Sequence, residues 1–169
     1  QPRSDTAQVA LAETLAALGQ LRARSGRFTE VVPAWTRAHE LVRGLDLPAS
    51  SPLAVTVAAL HLRMGRSYAE MGLWPEAREE YAEAFRQPPP ADIAEWCLRA
   101  YLLRDAEDAA AFRRHVADYL DRAQQPGAAA IRTESTVHAC ALGPLPPADA
   151  ARVLKLAGEA LDRDPHNGW

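Results

Sequence analysis

The sequence predicts an all-α chain, built as an α-solenoid of about four antiparallel helix hairpins. Three observations carry this expectation. No segment sustains the apolar/polar alternation of a strand, and Val and Ile are scattered rather than clustered. Helix start and stop signals recur along the whole chain. The first hairpin also repeats in the second at a fixed offset of 46 residues.

The elements follow in order. Asp5 caps a first helix, with Gln8 three residues on as its capping-box partner, and Ser25-Gly26 ends it. A second helix runs from about Thr29 to Arg43 and stops at Gly44; Pro33 falls early in it and implies a late start or a bend. Leu45–Ser51 is a linker. Ser51-Pro52 reads as an N-cap followed by proline at the first helical position, where the missing N–H costs nothing. The third helix reaches Met71 and stops at Gly72, and Trp74-Pro75 opens a fourth that runs to Arg86. Pro88-Pro89-Pro90 forbids continuation. Asp92–Arg104, Glu107–Ala123, Ala129–Leu142 and Pro147–Arg163 are the remaining four helices, broken at Gln125-Pro126-Gly127 and at the loop Gly143–Pro146. Short turns between consecutive helices imply antiparallel hairpins, here at about 5–44, 52–87, 92–123 and 128–164, read as one repeat domain.

Composition narrows the function classes. The 169 residues are 48% hydrophobic, enough for a continuous core. The formal charge of -3 argues against a nucleic-acid module, which needs a basic face for phosphates. No apolar run approaches the ~20 residues that cross a bilayer, so no membrane insertion is expected. Cys97 and Cys140 form no CxxC and fit a reducing, cytoplasmic compartment better than a disulfide. Lys155 is the sole lysine among 19 basic residues, and Ala is abundant, which reads as the coding bias of a GC-rich, bacterial genome. A start at Gln1 and an end at Trp169, just past a helix stop, read as a fragment of a longer protein.

The repeat itself is specific. Met64–Pro89 places Gly65, Tyr68, Gly72, Ala77, Tyr81, Ala84 and Pro89 in one pattern. Small residues at Gly65 and Ala77 let two helices approach, Tyr68 and Tyr81 fill the space between hairpins, and Gly72 makes the turn. Leu18-Gly19, Gly26, Trp35 and Ala38 stand 46 residues before Met64-Gly65, Gly72, Tyr81 and Ala84. This copy departs at Arg22, where the other has an aromatic, and at Val31, where the other has Ala. The pattern resembles the tetratricopeptide repeat family, although its period exceeds that family's ~34 residues. The later stretches "AAAFRRHVADYLDR" and "TVHACALGPLPP" resemble the repeat regions behind bacterial Ser/Thr kinase or WD40 domains in large signalling proteins. No kinase motif lies in this chain. Ala157, Ala160 and Asp164-Pro165 resemble the end of a further repeat.

The resemblance implies a protein- or peptide-binding scaffold without catalytic activity or cofactor. A structural spacer or self-association module of a larger signalling protein is the alternative. It also implies that the first helix of each hairpin lines a concave binding face. Glu13, Gln20 and Arg24 from the first hairpin and Arg66, Ala69 and Glu70 from the second would lie there. Arg24 and Arg66 suit a partner's carboxylate. The Lys/Asn carboxylate clamp of chaperone-binding members is not matched, since Leu62 and Arg66 stand where it would be. No catalytic or metal site is expected. His39, His61, His115, His138 and His166 form no HxxxH or HExxH pair and read as helix-surface or boundary residues. Glu76, Glu79, Glu80 and Glu83 read as one solvated helix face, and Asp118–Arg122 and Glu159–Arg163 as i,i+4 helix-supporting pairs.

Overall fold

In the computed structural model the described residues are 4–86, 89–90, 92–123 and 133–163, with the side chains of 93, 133–135, 160–161 and 163 excepted. They are all-helical: eight α-helices and a short 3₁₀ turn, with no strand among the described residues. Cα packing divides the chain into two compact units, Gln1–Pro90 and Ala91–Trp169. The break read at Gln125-Pro126-Gly127, the helix start read at Ala129, and residues 164–169 with His166 lie outside the described residues.

The first unit is two helix hairpins. α1 (Asp5–Arg24) packs on α2 (Val31–Val42), α3 (Pro52–Glu70) packs on α4 (Trp74–Ala84), and α1 lies against α3. The cap of α1 sits one residue earlier than the sequence suggested. Ser4 is extended and accepts from the Ala7 backbone N–H, which leaves Asp5 in the first turn, where its charge favours the helix dipole. Ser51 caps α3 by accepting from Leu53 N–H at 3.2 Å, and Pro52 is its first residue. Pro33 does delay its helix: residues Phe28–Glu30 form a 3₁₀ turn first, and Pro33 falls in the first turn of α2, where no backbone donor is lost. Gly26 and Gly72 close the two hairpins at φ 74° and 73°, the same left-handed geometry in both copies.

The repeat is visible as packing. Trp35 and Tyr81 are fully buried, each lying over the glycine of its own hairpin's first helix. A Cβ at Gly19 would fall on the Trp35 indole, and one at Gly65 would come within 2.7 Å of the Tyr81 ring. With no side chain at Gly19, the indole reaches the backbone and its Nε1–H donates to Ala16 O at 3.2 Å. Trp35 then meets Tyr68 of the next hairpin edge-on at 4.8 Å between centroids, joining the two copies. Gly19→Ala is therefore expected to cost the unit about 1–3 kcal/mol, because the rigid indole must move. A denaturation midpoint unchanged from wild type would show that α1 and α2 do not need this close approach.

The two departures from the repeat have clear consequences. Arg22, at the aromatic position, donates from Nη1 to Glu30 O at 3.1 Å and pairs through Nε with the Glu30 carboxylate at 3.2 Å. It thereby ties the 3₁₀ turn to α1. Val31, at the alanine position, is fully buried and is accommodated without loss of the hairpin.

The second unit holds α5 (Ile93–Asp105), α6 (Ala109–Ala123), α7 (Thr133–Cys140) and α8 (Pro147–Arg163). Asp92 caps α5 by accepting from Ala94 N–H at 2.9 Å. The helix predicted from Glu107 begins instead at Ala109. Glu107 takes φ 55°, which ends the preceding turn, and the Asp108 carboxylate caps Ala111 N–H at 2.9 Å. α7 is described only from Thr133 and ends at Cys140, two residues short of Leu142, whose carbonyl accepts from Arg104 Nε at 2.9 Å. The core is a stack: Trp96 lies over His115 at 5.2 Å and over Tyr119 at 5.3 Å, with the Arg122 guanidinium 5.8 Å from the Trp96 ring. Arg122 thus meets an aromatic face, while Glu159 lies 4.0 Å from Lys155. Thr136 donates to Tyr119 Oη at 3.0 Å, and Arg152 links α8 to Asp121 of α6 at 2.6 Å.

Candidate functional site

The candidate concave-face residues lie on α1 and α3. Glu13, Arg24, Arg66 and Glu70 are exposed and Gln20 is half-buried. Ala69 is buried, so it belongs to the core and not to a binding face. The exposed residues fall in one register. Positions 13, 17, 20 and 24 on α1 correspond, 46 residues on, to Ala59, Arg63, Arg66 and Glu70 on α3, all of them exposed. Helical spacing puts each set along one stripe of its helix. The two stripes carry three Arg and two Glu and form no enclosed chemical site.

The histidines do not behave as surface residues. His39, His61 and His115 are buried, at 8%, 3% and 2% exposure; among the described histidines only His138 is exposed. Nor is the acidic run on α4 one solvated face. Glu79 is exposed, Glu83 pairs with Arg86 at 2.6 Å, but Glu80 is buried at 4%. Helix geometry explains the split: α4 turns Ala77, Glu80, Tyr81 and Ala84 inward together.

Three of these residues, from three helices, meet in one cluster. His39 Nδ1 of α2 lies 3.0 Å from one Glu80 oxygen, and His61 Nδ1 of α3 lies 2.6 Å from the other. The imidazoles are edge-to-face at 5.6 Å. A carboxylate only accepts, so an ionised Glu80 requires a proton on each Nδ1. His39 Nε2, on the ring's other side, is buried without a hydrogen bond and faces the Glu79 carboxylate at 3.8 Å.

Electrostatics follow from this geometry. The Glu80 hydrogen bond outweighs burial and raises His39 above its ordinary 6.5, with Glu79 helping and Arg43 opposing. Burial alone would raise Glu80, but the bonds from His39 and His61 hold it below 4.5. Tyr68, buried and in the field of Glu80, is pushed up to about 12 and stays a neutral phenol.

His115 is the opposite case. Its Nε2–H donates to Trp96 O at 2.9 Å, yet burial and nearby Arg99 push it down to about 4. It is a neutral core imidazole. The two cysteines do not form a disulfide: Cys140 is buried and burial pushes it up to about 12, away from thiolate chemistry, and Cys97 lies 3.8 Å from Tyr119 Oη. A small cleft in this unit is lined by Leu103, Arg104, Glu107, Phe112 and Pro144 among others; Glu107 is the one carboxylate of that lining, and no histidine or thiol joins it.

Sequence reasoning missed the cluster because its members stand 22 and 19 residues apart, outside any local ligand motif. A signal did exist in the repeat. In the other copy the corresponding positions hold Phe85 for His39, Leu15 for His61 and Ala34 for Glu80. Three polar residues replace three apolar ones at core positions, and burying them requires that they satisfy each other.

No helix among the described residues is long and apolar enough to cross a membrane. Comparison with models of known protein families, with curated proteins and with solved structures finds no match.

Proposed function

We propose that this chain is a protein- or peptide-binding helical-repeat module of the tetratricopeptide type, serving a larger bacterial signalling protein in the cytoplasm and having no catalytic activity of its own. One observation carries the reading. The same hairpin is built twice in a 46-residue register, with Gly19 against Trp35, Gly65 against Tyr81, and left-handed glycines at both turns. Stacked hairpins of this kind present the first helix of each copy to a partner. The exposed stripes on α1 and α3 share that register, which favours a ligand lying across both helices. Their Arg24, Arg63 and Arg66 favour a segment bearing a carboxylate.

A peptide array of extended acidic segments, probed with the wild-type chain, tests this. Arg24→Glu with Arg66→Glu is expected to weaken the best binders at least about tenfold, as two charge pairs become repulsive. Both positions are exposed, so the helical circular dichroism signal should not change. Binding that is unaffected by the double reversal would move the partner off this face, and an array with no binder would count against the module reading.

A further inference from the structure

The geometry points to a buried binding site for one borderline divalent transition ion, of the Zn²⁺ class, held by His39, His61 and Glu80. This goes beyond peptide binding and uses none of the stripe residues. Each of the three offers a ligand atom, and these atoms lie within 4.8 Å of one another. Two imidazoles and a carboxylate suit this ion class, in contrast to the all-oxygen sets of Mg²⁺ or Ca²⁺.

The dimensions fit with small movement. Around a tetrahedral ion with bonds of about 2.0–2.1 Å, ligand atoms stand about 3.4 Å apart. The present N···O separations of 3.0 and 2.6 Å need to open by about 0.4 and 0.8 Å, and a pair of ligand atoms as far apart as 4.8 Å needs to close. Glu80 already turns a different oxygen to each imidazole. One Glu80 oxygen and the two Nδ1 atoms supply three protein ligands, and a water takes the fourth position of the tetrahedron.

A second observation supports the assignment. Metal-bound histidines usually pass their other ring N–H to a carboxylate, which fixes the tautomer. His39 is turned that way without yet making the bond: Nδ1 faces the cluster, and the unbonded Nε2 faces Glu79 at 3.8 Å, a gap that must close when the ring moves onto the ion. Binding moves the His39 and His61 protons off Nδ1. A neutral ring shifts its proton to Nε2, and an imidazolium releases one to solvent. Glu79, whose side chain is 56% exposed, marks the path in, beside the 11% exposed edge of His39.

Chelator-stripped full-length chain, titrated with Co²⁺, provides the test. One equivalent is expected to bind, with visible d–d absorption of a four-coordinate site, displacement by Zn²⁺, and a higher melting temperature. Glu79→Gln is expected to weaken Co²⁺ binding about tenfold to a hundredfold, the usual cost of losing an outer carboxylate partner. A control that keeps the core filled substitutes the residues of the other copy: His39→Phe, His61→Leu and Glu80→Ala together. It should show no Co²⁺ band. Absence of stoichiometric binding by the wild type, or binding that survives in the triple variant, overturns the site. Neither result bears on peptide capture by the α1 and α3 stripes.

Discussion

Trp35→Ala is expected to cost the first unit about 3–5 kcal/mol. The indole is fully buried, donates to Ala16 O and meets Tyr68 across the hairpin junction. Gly19, directly beneath the ring, has no side chain to fill the gap, and Tyr68 loses the ring that it meets edge-on. For a marginally stable domain this loss is a large share of the total. Guanidinium titration of helical circular dichroism gives the number. A shift worth under about 1 kcal/mol would mean that the copies are not joined through Trp35.

Glu80→Ala is the second large effect, also about 3–5 kcal/mol, because it leaves two buried imidazoles without their acceptor. The triple variant with Phe, Leu and Ala at positions 39, 61 and 80 should recover most of that loss, since apolar replacement of a buried ionic group is often neutral or better. A triple variant as unstable as the single one would show that shape, not satisfied charge, limits this site.

The same network sets a pH window. His39 is raised above 6.5, so its contribution is complete below 6.5 and fades as pH rises through its folded value. Glu80 is lowered below 4.5, so its contribution is complete above 4.5 and fades as pH falls through its folded value. The cluster stabilises most between about 4.5 and 6.5. His115 has the reverse sign: lowered to about 4, it withdraws stability from the second unit as pH falls from 6.5 toward 4. Amide exchange of metal-free protein at pH 8 and 6 should show α2–α4 gaining protection relative to α5–α6, after correction for intrinsic rates. Parallel changes in both would remove the titrating cluster as the cause.

The helices were legible because their ends are written locally. Ser51-Pro52, Gly72, Asp92 and Pro147 act through backbone geometry within a turn, and each falls at the boundary that the structure has. Errors arose where two neighbours compete for one cap, as with Ser4 and Asp5, or where a non-glycine residue takes a left-handed turn, as at Glu107. The Gly19/Trp35 and Gly65/Tyr81 pairings were foreshadowed by a fixed offset. Burial of His39, His61 and Glu80 was not, since a single polar residue at an apolar position reads as surface until its partners on two other helices are placed. Glu80 also hid among Glu76, Glu79 and Glu83, whose number suggested solvent.

The exchange of Tyr68 for Arg22 between the two copies also has a consequence for how the fold yields under stress. Tyr68 joins the second hairpin to α2 of the first through the Trp35 edge contact and a hydrogen bond with Thr36, neither of them an ion pair. Arg22 holds the first hairpin's turn through an ion pair whose side chains are 25% and 44% exposed. Salt weakens such a partly wetted pair and leaves the aromatic one untouched. Rising ionic strength is therefore expected to loosen the turn of the first hairpin before that of the second.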